Sequence, residues 1–271
     1  MISAWFPLLR FGSLCLACVV GLSVALSASQ AHSETCSLPS LYAGVAFPVE
    51  LVEAGWACRL QPIISHYTTA NKLGPVRTPL SESVYLHFLD RPLMTVSLIN
   101  RLGIAPYQSE SRGLVRYWGN DGEGTEGIVE LVYQDRTSRI YYLEGSHHSR
   151  LLPDIAGKAV VLLRMNQVTD SNGTAAMEST FVYYTRLDNR LLSGLLSLFR
   201  PLVGSTVTKK MVKGVDSVNR LSLAMQQQPD RILSEAAKPP ALTVDEMAFL
   251  QQTVEYWSHP IGTIPAKTVA P

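Results

Sequence analysis

The sequence predicts an α+β fold in which a curved antiparallel sheet surrounds a long C-terminal helix. Three observations predict this. Five segments between residues 113 and 186 alternate like strands and are rich in Val, Ile, Tyr and Thr. Short turn sequences separate these segments, so neighbouring strands must be antiparallel. After the last strand, apolar residues recur at helical spacing until Pro229.

The composition is that of one ordinary folded domain. The chain has 271 residues, of which 46% are hydrophobic and 17% charged, enough for a single core. The formal net charge is +1 and no stretch concentrates Lys and Arg. A nucleic-acid-binding role is therefore excluded, because it needs a concentrated basic face.

Residues 1–31 have the three parts of a secretory signal peptide. Arg10 provides a positive start, the run Phe11–Leu26 carries no charge, and Ser29-Gln30-Ala31 places small residues where a signal peptidase cleaves. An uncleaved anchor is the alternative, but the run is shorter than the roughly 20 residues that span a bilayer. We expect cleavage, and a periplasmic or secreted mature protein.

The cysteines divide at the expected cleavage site. Cys15 and Cys18 lie in the signal-like run, and neither follows a lipobox, which argues against a lipoprotein. Cys36 and Cys58 remain as a pair in an oxidising compartment, where we expect a disulfide rather than two unrelated thiols. Closing a loop of about 20 residues stabilises a protein by roughly 3 kcal/mol. Their spacing predicts neither redox catalysis nor a zinc site.

The first part of the mature chain alternates between irregular and regular structure. Residues 32–62 are predicted to form an irregular leader containing prolines such as Pro62, with a short helix near Val49–Ala57. His66–Arg77 is predicted as the first strand.

Two short helices follow this strand in the prediction. Thr78 is suited to cap the first one, with Pro79 at its first helical position. Val84 and Phe88 are four residues apart and give this helix one apolar face. Arg91–Leu102 forms the second helix, which ends before a glycine.

From Gly113 onward, apolar residues recur at every second position, as in a β-strand. The predicted strands are Gly113–Trp118, Gly127–Asp135, Ser138–Ser146, Lys158–Thr169 and Thr174–Arg186. In the last two strands, odd positions such as Leu163 and Phe181 are apolar or amphipathic. Even positions such as Lys158, Asn166 and Glu178 are polar, so the sheet is expected to have one solvent-facing side and one covered side.

The predicted cover comes next in the chain. Asp188–Leu202 reads as a short helix interrupted by Pro201 and Gly204, and Ser205 then caps a longer helix to about Gln228. The longer helix carries an apolar stripe at Val207, Met211, Val215, Val218 and Met225.

A separate helix is predicted in the C-terminal tail, residues 231–271. Thr243 and Glu246 form a capping-box pair before an apolar run. Residues 258–271 contain Pro and Ala and are expected to be loose.

This order of elements resembles the START-like (SRPBCC) superfamily with the helix-grip fold, which includes polyketide cyclase-like, lipid-transfer and plant allergen-type proteins. The resemblance covers residues 63–230 and rests on the element order, the helix entry at Pro79–Leu89 and the stretch Leu191–Pro229. No strict signature motif supports it. An NTF2-like cone places its helices before the sheet, and a lipocalin barrel has more strands and less helix.

The resemblance implies an apolar ligand pocket between the curved sheet and the long helix. We expect the inward positions of the sheet, the helix stripe and the first short helix to line it. The expected lining residues are Phe88, Tyr141, His147, Leu163, Met165, Met177, Phe181, Tyr183, Met211 and Val215.

Glycines and acidic residues share one predicted hairpin loop. Gly122–Gly127 matches the pattern GxGxxG, but a strand, Ile128–Tyr133, follows it where a dinucleotide site requires a helix. Asp121, Glu123 and Glu126 could supply oxygen ligands to calcium, yet the EF-hand order is absent. A flexible, solvated acidic loop is the expected structure.

His147 and His148 form the most visible polar pair, but adjacent strand residues point to opposite faces and cannot easily share a metal. No catalytic motif is recognisable, and we expect no metal or cofactor. Two function classes remain. One is a carrier or sensor of an apolar small molecule or lipid, with transient membrane contact. The alternative is a cyclase- or hydrolase-type enzyme that uses the same cavity.

Overall fold

The computed structural model of the protein describes residues 36–148, 154–169, 173–188 and 196–258. The expected signal peptide and the last residues of the tail lie outside the described residues. The strands are β1 Leu41–Tyr42, β2 Val45–Ala46, β3 Thr69–Thr78, β4 Gln108–Ser111, β5 Arg116–Asn120, β6 Thr125–Gln134, β7 Ser138–His147, β8 Ile155–Thr169 and β9 Ala175–Leu187. The helices are the 3-10 helix Val49–Leu51, α1 Ala54–Ser65, α2 Glu82–Asp90, α3 Pro92–Arg101, α4 Leu196–Gln227, α5 Pro229–Ala237 and α6 Val244–Ser258.

The main sheet has the connectivity of a helix-grip fold. Its order is β3-β9-β8-β7-β6-β5-β4, and every neighbouring pair is antiparallel. The first strand therefore pairs with the last, while α2 and α3 precede the meander and the long α4 follows it. This confirms the predicted α+β class and the curved sheet with its long C-terminal helix.

Contacts on two sides position α4 against the sheet. On one side it lies along β3, and Thr208 hydrogen-bonds to Tyr183 of β9 at 2.7 Å. On the other side, Lys210 forms an ion pair with Asp121 in the β5–β6 loop. Strands from both halves of the sheet are thus tied to the same helix, which the sheet encloses.

Helices cover both faces of the sheet, which corrects the prediction of one solvent-facing side. The inner face packs against α2 to α6, whereas the outer face carries buried Val160, Leu162 and Val182. These side chains pack against Leu60 and Ile63 of α1. The even positions of β8 and β9 are apolar at the centre of the strands, and the N-terminal segment excludes water from them.

Helix α1 extends further than predicted. It continues from Ala54 to Ser65 and includes Pro62, which was expected to lie in an irregular leader. A proline in the last turn removes one backbone hydrogen bond. The burial of Ile63 and Ile64 against the outer face of the sheet offsets that loss.

Helix α2 begins later than predicted. Thr78 ends β3, and Ser81 rather than Thr78 precedes the first helical residue. Thr78 donates instead to the side-chain oxygen of Asn219 on α4 at 2.7 Å, and the Pro79 carbonyl accepts from Ser222 at 3.0 Å. Because α4 holds this segment, Thr78 and Pro79 cannot serve as the helix start.

Helix α4 is continuous where an interruption was predicted. Pro201, Gly204 and Ser205 all lie inside it, so Ser205 is not its N-cap. Gly204 lies beside Thr69 of β3, and packing along this strand outweighs the local preference for a break. The helix does end before Pro229, as predicted, because α5 begins there.

Two further comparisons with the prediction concern the sheet edge, where one strand was missed, and the tail, where the predicted helix start is confirmed. The five predicted strands correspond to β5–β9 with shifted ends, and β4 was missed because its residues Gln108–Ser111 are all polar. In the tail, the amide of Thr243 donates to Glu246 at 2.9 Å and the amide of Glu246 donates to Thr243 at 3.3 Å. These two bonds confirm the capping box. None of the helices in the described residues is long and apolar enough to cross a membrane.

Candidate functional site

The ten expected lining residues fall into two groups by burial. One group belongs to the packed core: it is 3% exposed at most and consists of Phe88, Leu163, Met165, Met177 and Tyr183. The other group points inward but stays half-buried, and it consists of Tyr141, His147, Phe181, Met211 and Val215. The residues of the second group therefore keep some accessible surface.

Tyr141 on β7 combines a buried environment with some accessible surface. Burial raises the pKa of its phenol, so protein atoms surround the side chain. Tyr141 nevertheless keeps accessible surface.

Three further apolar residues of the inner face are half-buried: Val129 and Leu131 on β6 and Leu143 on β7. Val129 pairs with Leu143, and Leu131 pairs with Tyr141, so they continue the same surface toward the β4 edge. None of the three was among the expected lining residues, which included Tyr141 and His147 of β7 but no residue of β6. The period-two spacing of Val129 and Leu131 is the signal that identifies them.

Met211 and Val215 lie on the side of α4 that is directed at the sheet. They follow Thr208 by three and seven residues, which puts all three on one face of the helix. Thr208 contacts Tyr183 on the inner face of the sheet, so this helix face is directed at the sheet. Val212, by contrast, is 47% exposed.

A polar cluster lies under α2 at the other end of the inner face. Arg139 on β7 is 3% exposed, and its Nη2 donates to Asp90 at 2.7 Å. The hydroxyls of Tyr85 and Ser179 are 2.8 Å apart and buried. Burial raises the pKa of Tyr85, so its phenol keeps its proton at neutral pH. Sequence reasoning missed this cluster because a strand arginine usually faces solvent.

The two histidines have separate partners. His147 Nδ1 is 2.9 Å from the hydroxyl of Thr125 on β6, and His148 Nδ1 is 2.8 Å from the carboxylate of Asp154. Within the described residues, no three His, Cys, Asp or Glu side chains form a group that could hold a metal ion.

The acidic loop between β5 and β6 is fastened to α4. Asp121 accepts from Lys210 and Glu123 from Lys213. Burial on its own would raise the pKa of Asp121, but the hydrogen bonds from Lys210 and from the amides of Thr125 and Glu123 together hold it below the usual value. A strand, β6, follows this loop. Lys210 and Lys213 therefore attach this loop to α4.

Two surface grooves are also present. The larger, of about 480 Å³, lies between α2 and the β6–β7 turn, and its wall includes Leu86, Asp90, Arg136 and Arg139. The smaller, of about 410 Å³, lies between the end of α1 and β9. Neither lies between the sheet and α4.

The predicted disulfide is confirmed. Cys36 and Cys58 are bonded and lie 22 positions apart in the sequence. The bond attaches the start of the described chain to α1, which covers the outer face of the sheet.

Comparison with known proteins gives structural neighbours only. No family model and no curated protein matches the chain. A conserved protein from Geobacillus kaustophilus is 11% identical with a TM-score of 0.39, covering 57% of this chain and 93% of its own. Ara h 8.0201 is 12% identical with a TM-score of 0.36, covering 58% and 99%.

Another neighbour, the Mll3558 protein from Rhizobium loti, is 9% identical with a TM-score of 0.32, covering 56% of this chain and 96% of its own. At such TM-scores the fold assignment rests on the strand order and connectivity of the chain itself. That assignment is a helix-grip α+β domain, whose inner sheet face carries a half-buried apolar surface opposite α4.

Proposed function

We propose that the protein is an exported carrier that binds an apolar small molecule or lipid between the inner face of the sheet and α4. The observation that carries this proposal is the accessible surface of deeply placed Tyr141. In support, apolar residues of β6 and β7 on the inner face are half-buried, and Met211 and Val215 lie on the same face of α4 as Thr208, which contacts the sheet. Filling such a space with several hundred Å² of apolar ligand gains roughly 25 cal/mol per Å², offset by ordering costs.

The matched pair Met211 and Val212 tests this proposal. Met211→Asp introduces an unpaired charge into the proposed space, whereas Val212→Asp introduces the same charge on the exposed side of the same helix. A fluorescent fatty-acid analogue should bind the Met211 variant at least about tenfold more weakly than wild type. The Val212 variant should bind as wild type does.

Circular dichroism and melting temperature must accompany the titrations to show that both variants are folded. A folded Met211→Asp variant with wild-type affinity contradicts the proposed cavity. Native mass spectrometry of the purified protein provides a variant-free measurement. A co-purified apolar molecule supports the carrier proposal, and failure of every probe to bind wild type opposes it.

The alternative is a cyclase- or hydrolase-type enzyme in the same cavity. Among the inward-facing titratable side chains, burial raises the pKa values of Tyr85 and Tyr141, and His147 is already in contact with the hydroxyl of Thr125. A phenol that stays protonated can donate a hydrogen bond but cannot serve as a general base near neutral pH. These groups therefore suit ligand orientation better than acid–base chemistry. Mass-spectrometric detection of turnover of a bound ester would favour the enzyme.

Export is part of the proposal. The disulfide Cys36–Cys58 agrees with an oxidising compartment, and residues 1–31 carry the signal pattern. N-terminal sequencing of the mature protein should begin at or near His32. A membrane-bound product that retains Met1 contradicts cleavage.

We further propose transient contact with an anionic bilayer through the β4–β5 turn. Leu114 is 98% exposed and Val115 is 44% exposed. Arg112 and Arg116 flank them, and anionic lipid headgroups would compete for these arginines with Glu110, at 2.8 Å from Arg112, and Glu130, at 3.9 Å from Arg116. Leu114→Ser should reduce co-sedimentation with phosphatidylglycerol vesicles, while Leu51→Ser, at another exposed leucine, should not. Equal losses contradict a role for this turn.

A further inference from the structure

Arg139 has more hydrogen-bond donors than partners. Its Nη2 donates to Asp90 at 2.7 Å. Its Nε and Nη1 are buried and have no hydrogen-bond partner among the residues that the structure describes. A buried charged donor without a partner is costly, and such groups recur where a ligand completes the bonding.

The inner face of the sheet places Arg139 next to the proposed ligand space. Tyr141 is the next residue on the same face of β7, and Arg139 pairs across the sheet with Leu163. The positive charge of Arg139 counteracts part of the increase that burial causes in the pKa of Tyr141, so the Tyr141 phenol lies near the Arg139 guanidinium. Tyr141 thus lies beside the proposed apolar ligand space and also beside the Arg139 guanidinium.

The carboxylates around Arg139 already have partners. Glu82 forms two hydrogen bonds of 2.6 Å with Arg136. Asp135 accepts from the amides of Thr137 and Ser138 at 2.6 Å. Among the carboxylates of the described residues, Asp90, which is half-exposed at the surface, is the one that binds Arg139. Arg139 therefore keeps two donors, Nε and Nη1, that none of these carboxylates engages, and the carboxylate of a ligand would satisfy them.

We propose that the ligand of this protein is an amphiphilic acid whose carboxylate is bound by Arg139 and the Tyr141 hydroxyl. This inference rests on the proposed carrier function and specifies its ligand class. Because neither Nε nor Nη1 reaches solvent, the side chain of Arg139 or Tyr141 changes rotamer when the acid binds. The apolar chain of the acid occupies the space lined by Leu131, Leu143 and Met211.

The experiment compares matched ligands on the wild-type protein. Dodecanoic acid, dodecanol and methyl dodecanoate share one apolar chain and differ in the terminal group. Isothermal titration calorimetry near neutral pH should show that the protein binds the acid at least about tenfold more tightly than the alcohol or the ester. Equal affinity for all three overturns the inference and leaves Arg139 as the ion-pair partner of Asp90. Binding of none of them overturns the carrier function itself.

A pair of variants assigns the effect to Arg139. Arg139→Met keeps the apolar stem, and it should lower the affinity for the acid to that for the alcohol without changing the affinity for the alcohol. Arg136→Met removes a neighbouring arginine that is exposed and paired with Glu82, and it should preserve the preference for the acid. If both variants keep the preference, Arg139 does not bind the carboxylate. If Arg139→Met does not fold, the comparison of ligands on wild type still decides.

Discussion

The phenol of Tyr183 on β9 donates a hydrogen bond of 2.7 Å to the hydroxyl of Thr208 on α4. The direction follows from the second bond of Thr208, which donates its single proton to the Gly204 carbonyl at 2.8 Å. Tyr183 therefore connects the last strand to the helix that the sheet encloses. Its hydroxyl is already engaged within the protein.

Tyr183→Phe should lower the free energy of unfolding by about 1 kcal/mol, the usual net contribution of one hydrogen bond. The Thr208 proton keeps its partner, so the loss should not exceed that of a single bond. Urea denaturation measures the change. Tyr67→Phe is the control, since Tyr67 is 46% exposed. Equal losses in the two variants contradict the structural role of the Tyr183 hydroxyl.

Leu162→Ala and Leu163→Ala should each cost about 2–5 kcal/mol. The two leucines point to opposite faces of β8, and they are 1% and 2% exposed. The comparison tests whether α1 covers the outer face in solution, because an uncovered face predicts almost no loss for Leu162→Ala. Chemical denaturation gives both values, with Leu114→Ala as an exposed reference.

Removal of the disulfide should lower the free energy of unfolding by about 3 kcal/mol, as expected for a closed loop of this length. Cys36→Ser, Cys58→Ser and the double variant should be equally destabilised, and reductant should change only the wild type. Unequal single variants would show that one of the cysteines contributes through packing rather than through the bond.

The Lys210–Asp121 ion pair should make stability depend on pH. The pKa of Asp121 is lower in the folded protein than its usual value, so its contribution is present above the unfolded pKa of about 3.9 and is lost as the pH falls through the folded pKa. Lys210→Met should cost about 1 kcal/mol near neutral pH. The difference from wild type should shrink below about pH 4.

Lys209→Met is the control for this prediction, because Lys209 is exposed on the same helix turn. Urea denaturation across the acid range measures both variants. A difference between Lys210→Met and wild type that stays constant at low pH contradicts the assignment to Asp121.

Local patterns in the sequence determined the order of the elements. Period-two alternation predicted β5–β9, and helical periodicity predicted α4 up to Pro229. Thr243 and Glu246 predicted the start of α6. The cysteine count predicted the bond between Cys36 and Cys58. These features depend on residues close in sequence or on a single pair of cysteines. One amino-acid sequence was therefore enough to predict them.

The tertiary structure decided which side chains of the inner sheet face are buried and which elements cover them. Alternation assigns a residue to a face, but it does not say which element covers it. Leu163 and Phe181 share a face, yet only Leu163 is fully buried. The burial of Arg139 depends on α2, and its partner Asp90 lies 49 positions away. Such long-range contacts have no local signature, because burial is a property of the assembled layers.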